Sequence, residues 1–167
     1  MRLVRHAVLL LLLALPAAAG PAGAEQPSAA PGGGLAEKLP RSWCGTFSWE
    51  TFGDLQHVTI TFDRVTPLAD GTIEATGRGI VKSFRTVPFL ARAVVDPAGR
   101  RIELFESLAT PTPGYITDGS HVGTLAPDLQ SMRLAWTTRG TGERGSMQLQ
   151  ARPAGADLAQ PCGLPSS

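Results

Sequence analysis

HVTITFDRVTPLADGTIEATGRG, residues 57–79, is the stretch that decides the fold class. Val58, Ile60 and Phe62 alternate with His57, Thr59, Thr61 and Asp63, the period of two expected of a strand buried on one face. Ala69-Asp70-Gly71 carries turn chemistry, after which Ile73, Ala75 and Gly77 alternate with Thr72, Glu74, Thr76 and Arg78. The two runs read as an antiparallel hairpin. Gly77 and Gly79 are expected to mark a bend or bulge, with extended chain resuming over Ile80 to Phe84.

The same period continues outward in both directions. Upstream, SWCGTFSW (42–49) places Trp43, Phe47 and Trp49 on one parity. Downstream, Phe89, Ala91, Ala93 and Val95 share a parity, and the turn Asp96-Pro97-Ala98-Gly99 leads into a strand from Ile102 to Ser107. Pro111 and Pro113 break the rhythm and demand a loop. A short strand is expected over Val122 to Leu125. Met132, Leu134 and Trp136 then alternate, and a glycine-rich hairpin loop leads to Met147, Leu149 and Ala151. No window carries a helical stripe; Leu35 to Leu39 would make at most one turn. About eight regularly spaced strands joined by hairpins predict an all-β, antiparallel up-and-down meander closed into a small barrel. Closure removes exposed strand edges. A β-sandwich is the alternative.

The two ends of the chain read differently. Residues 1–24 have the parts of a signal peptide: Arg2 and Arg5, an apolar run from Ala7 to Leu15, and Ala22-Gly23-Ala24, with cleavage expected after Ala24. That run is too short to span a bilayer comfortably, so a chain free in solution, secreted or periplasmic, is expected, with no membrane insertion. Residues 25–41 read as a disordered leader rich in Pro, Ala and Gly, of which 25–34 should be dispensable for folding. Residues 42–152 form the barrel domain, and 153–167 a C-terminal tail that reads like the leader except for Cys162. Lys38 and Lys82 are the two lysines, acidic and basic residues nearly balance, and no basic run is visible, which argues against nucleic acid as a partner.

The two cysteines, Cys44 and Cys162, form an even pair in a chain expected to be exported, so a disulfide tying the tail to the first strand is predicted. A redox or metal role lacks C-x-x-C spacing and enough companion ligands.

With these residues in view, the chain resembles the calycin group, the lipocalins, avidins and similar secreted bacterial barrels. The likeness rests on a tryptophan and glycine opening the first strand, Trp43-Cys44-Gly45, on the meander, and on a late strand carrying Trp136. In lipocalins and avidins the motif runs Gly-x-Trp; here the order is reversed. The resemblance implies a barrel able to hold a ligand and names no ligand.

Candidate chemistry is sparse. Tyr115, Asp118, Ser120 and His121 cluster in YITDGSH (115–121), but adjacent Ser120 and His121 on extended chain would point to opposite faces and could not act as nucleophile and base. Glu50, Asp54 and His57 read as a solvated loop tip. Neither nucleophile-elbow, zinc-protease, Walker nor dinucleotide motifs are present, so no catalytic residue, metal or cofactor is assigned. The candidate ligand pocket is Trp43, Phe47, Trp49 and Trp136, facing small residues on the inner parity, Ala91 first among them, with Ala75, Gly77 and Ala93. Large against small either fills the barrel or leaves an apolar void.

Two functions therefore stand open. One is a barrel that binds a small apolar or amphipathic ligand. The other is a protein-binding module, such as a barrel-type protease inhibitor or an envelope accessory. They separate by where apolar surface remains after folding: inside the mouth for the first, on the outside for the second.

Overall fold

The computed structural model describes residues 33–153 and Cys162; the expected signal peptide, residues 25–32 of the expected leader and all of the expected tail but Pro153 and Cys162 lie outside them. A short helix, α1 (Gly33–Lys38), precedes eight strands: β1 (Ser42–Trp49), β2 (Leu55–Pro67), β3 (Ile73–Lys82), β4 (Thr86–Asp96), β5 (Arg101–Ser107), β6 (Gly119–Leu125), β7 (Ser131–Thr138) and β8 (Arg144–Ala151). Each strand pairs antiparallel with the next, and β8 pairs back onto β1 from Trp43↔Ala151 to Trp49↔Gly145. The meander is thus a closed barrel.

Burial follows the alternation that the sequence carries. On β4, Val87, Phe89, Ala91, Ala93 and Val95 are buried, while Thr86, Pro88, Leu90 and Arg92 face solvent. Side chains of unequal size fill the interior: Trp43, Phe47 and Trp136 share one core with Ala75, Ala91 and Ala93.

Two expectations about backbone shape are corrected. The register shift lies opposite Gly77 and Thr76 but on the partner strand, between Phe62 and Arg64 of β2, and β3 itself runs unbroken through Gly77 and Gly79. Gly77 serves close approach instead, since a Cβ there would stand 1.9 Å from the Thr61 carbonyl oxygen. The sixth strand also begins earlier than expected, at Gly119, so Ser120 and His121 belong to the barrel wall.

The segment expected to be leader up to residue 41 is structured from Gly33 onward. α1 buries Ala36, and the following Leu39 is buried beside it in the barrel core. The Trp43 indole N–H donates to the Pro40 carbonyl at 2.8 Å. This chain covers the end of the barrel at which β1 begins. A protein starting at Ser42 should therefore be less stable than one starting at Gly33 by about 2–4 kcal/mol, for the lost burial of Leu39 and the orphaned indole N–H. Urea denaturation of the two chains checks this; equal midpoints would show that α1 contributes nothing.

Cys44 faces outward on β1 and is bonded to Cys162, with Cα atoms 5.8 Å apart. The predicted disulfide is present.

The opposite end, the mouth, carries the β1–β2, β3–β4, β5–β6 and β7–β8 connections. Its wall is incomplete on one side. β4 pairs with β5 only as far as Leu90↔Ser107, and β5 pairs with β6 only as far as Leu104↔His121. Pro88 stands on the part of β4 that β5 does not reach, where the lack of an N–H is tolerated. Residues 108–118 form a strap across the gap. The strap is held by the Arg85 guanidinium, which donates to the Pro113 carbonyl, and by the Gly140 N–H, which donates to Asp118 Oδ2 at 3.3 Å. Gly114, at φ 74°, supplies the left-handed turn that aims Tyr115 inward.

Candidate functional site

The strands bring three of the five expected pocket residues together at the mouth. The Trp49 and Trp136 ring centroids lie 4.8 Å apart, Phe47 and Trp49 5.2 Å, and Phe47 and Trp136 6.0 Å, all edge to face. Trp43 does not join them. It shares their parity but stands six residues away on β1, about 20 Å along the strand, beside α1. Ala91 is buried opposite Glu106 on the adjacent strand.

Within this aromatic cluster lies a polar group that the sequence reading did not assemble. His121 on β6 points inward and its ring stands 5.8 Å from Phe47 and 5.9 Å from Trp136. Its Nε2 is 3.1 Å from Glu106 Oε1, with both side chains almost wholly buried. Tyr115, reaching in from the strap, donates its hydroxyl to the other oxygen, Glu106 Oε2, at 2.6 Å. As a carboxylate, Glu106 accepts at both oxygens, so the hydrogen-bond network assigns the imidazole proton to Nε2. Nδ1 is buried and has no hydrogen-bond partner among the described residues.

Burial and the neighbouring Glu106 charge push the Tyr115 phenol well above its ordinary pKa of 10.0. A group whose pKa is raised on folding lends stability that is fully present below its unfolded pKa and is lost as pH climbs above that value. The chain has one tyrosine, so the test is clean. Phenolate absorbance should stay flat through pH 10 in the native protein and rise only together with the loss of near-ultraviolet circular dichroism. Ionisation near the ordinary value with the fold intact would show that Tyr115 is not held by Glu106.

The hollow bounded by these side chains is small, about 40 Å³. That is room for a few waters and not for a fatty acid. The mouth is thus filled by its own aromatic and polar side chains. Part of this was readable: Glu106 falls on the apolar parity of Ile102 and Leu104, a position where a carboxylate needs a partner. The identity of the partners was not readable, because Tyr115 arrives from a loop and His121 from a strand that β5 meets only in the fold.

The remaining sequence candidates do not converge. Ser120 and His121 face opposite sides of the wall, as alternation requires. Glu50, Asp54 and His57 are exposed, and no group of three or more metal-ligating side chains occurs among the described residues.

Apolar surface remains outside the barrel around the mouth and beside the strap. Around the mouth, Phe84 is 89% exposed, Phe52 63%, Leu55 55% and Ile116 39%, four of the five large apolar side chains exposed among the described residues. They come from the β1–β2 connection and the residue after it, the β3–β4 connection, and the strap. Beside the strap, on the outer faces of β3 and β4, is a groove of about 400 Å³. The chain matches no protein-family model and no curated protein.

Proposed function

We propose that this chain is an exported, non-enzymatic β-barrel that works by binding another protein at its mouth. The observation carrying this reading is the apolar rim of Phe52, Leu55, Phe84 and Ile116 at one end of a barrel whose interior at that end is filled. Isolated exposed apolar residues are ordinary, but a set gathered around one opening is the mark of a contact surface. Lys82, Arg85 and Arg144 are interspersed there with Glu50, Asp54 and Glu143, so no field of one sign favours an anionic surface. Phe52, Leu55 and Phe84 sit on or beside short connections of the rigid barrel, which keeps the ordering cost of binding low. Export is the setting that suits the Cys44–Cys162 bond.

The test is native mass spectrometry of the protein purified from its own host, beside the double variant Phe52→Glu, Phe84→Glu. Both positions are exposed, so the variant should keep its melting temperature and lose the retained partner chain. A partner retained equally by the variant would reject the rim as the contact surface.

A further inference from the structure

The groove beside the strap has a composition of its own. On an antiparallel barrel the outward positions are ordinarily polar, as Thr61, Glu74, Arg92, Arg133 and Gln148 are here. On β3 and β4 that rule fails at Val94 and in a contiguous patch nearer the mouth. Ile80 and Pro88 are direct cross-strand partners, and Leu90, next along β4, pairs with Arg78. All of these outward positions line the groove, with Thr59 of β2 in the same cross-strand row as Ile80 and Pro88. The strap supplies the facing wall through Ala109, Thr110 and Thr112. The volume, about 400 Å³, falls within the roughly 300–1,000 Å³ typical of small-molecule sites and is ten times that of the hollow inside the mouth.

We infer that this groove is a binding site for a small amphipathic molecule with an apolar body and a carboxylate head. The body lies along Ile80, Pro88, Leu90 and Ala109. The head lies at Arg78, the single charged side chain among the described residues that line the groove. Arg78 is available for it. Its partner Asp63 stands 3.3 Å away, and both side chains are more than half exposed, so the pair is weak and a bound carboxylate can take its place. A planar guanidinium has N–H donors beyond the two that face Asp63 and matches a carboxylate in geometry. The threonine hydroxyls on both walls offer further hydrogen bonds to the head. The site is separate from the rim proposed to bind protein, and each can fail without the other.

Isothermal titration calorimetry with sodium decanoate, 1-decanol and decyltrimethylammonium, each below its aggregation range, tests the assignment. Decanoate should bind one to one and more tightly than the other two. Arg78→Gln should weaken decanoate by about fivefold, the upper range for an exposed ion pair, and leave decanol unchanged. Asp63→Asn removes the competing carboxylate and should tighten decanoate. Ala109→Trp fills the groove and should abolish binding of all three probes; Leu90→Glu, at an exposed position, should do the same to decanoate. Melting curves confirm that each variant is folded. Absence of saturable decanoate binding, equal affinity for the three head groups, or binding that survives both Ala109→Trp and Leu90→Glu would overturn the proposal.

Discussion

Replacing Glu106 by alanine should destabilise the barrel by about 3–5 kcal/mol, a fall in melting temperature on the order of 10–20 °C for a domain of this size. The substitution strands two buried donors at once, the His121 Nε2–H and the Tyr115 hydroxyl, and opens a void next to Ala91. Tyr115 would lose its inward anchor, so the strap should become the first element to exchange its amide protons. Most of this loss reflects groups left unpaired and not the intrinsic worth of the network. The triple variant Glu106→Met, Tyr115→Phe, His121→Phe, which removes every member, should therefore be clearly more stable than Glu106→Ala alone. Denaturant midpoints of wild type, single and triple variants decide it. A Glu106→Ala midpoint within 1 kcal/mol of wild type would mean that the cluster is solvated and not buried as described.

The second large effect is expected from the disulfide. Cys44 and Cys162 are separated by 118 residues, and a loop of that length constrains the unfolded chain by up to about 5 kcal/mol in the chain-entropy view. That is comparable to the whole net stability of a small domain. The double variant Cys44→Ser, Cys162→Ser should melt ten degrees or so lower, roughly what a loss of a few kcal/mol produces. Denatured but unreduced protein should react with an alkylating agent at neither cysteine. Two labelled thiols would end the argument. A double serine variant is preferable to reduction because it leaves no thiol to form a mixed disulfide.

The two large effects also bear on where binding surface can lie. Both features tie down parts of the chain that the strand ladder does not hold: the strap at the mouth and Cys162 at Cys44 of β1. With little space left inside the mouth, both proposed contacts, the rim for a protein and the groove for a small molecule, lie on the outside of the barrel.

The amino-acid sequence by itself determined the strands, their order and their inner faces. In a half-buried strand the side-chain period is two, so the parity of Val58, Ile60 and Phe62, or of Ala91, Ala93 and Val95, states directly which side faces the core. Hairpin turns such as Asp70-Gly71 fix neighbours locally, and an unbroken series of them leaves closure as the way to remove the edges. The cysteine pair was legible for a similar reason, since two cysteines allow one bond. Tertiary structure alone decided depth along the barrel axis and contacts between distant segments. Parity says that Trp43 and Trp49 face inward but not that they occupy opposite ends; that depends on register and strand length. It places Glu106 inside without naming His121 and Tyr115, which reach it from 15 and 9 residues away across a strap of irregular backbone. Nor does periodicity distinguish a bend at Gly77 from a close approach of the neighbouring strand, because glycine serves both, and only the packed backbone tells which one is required.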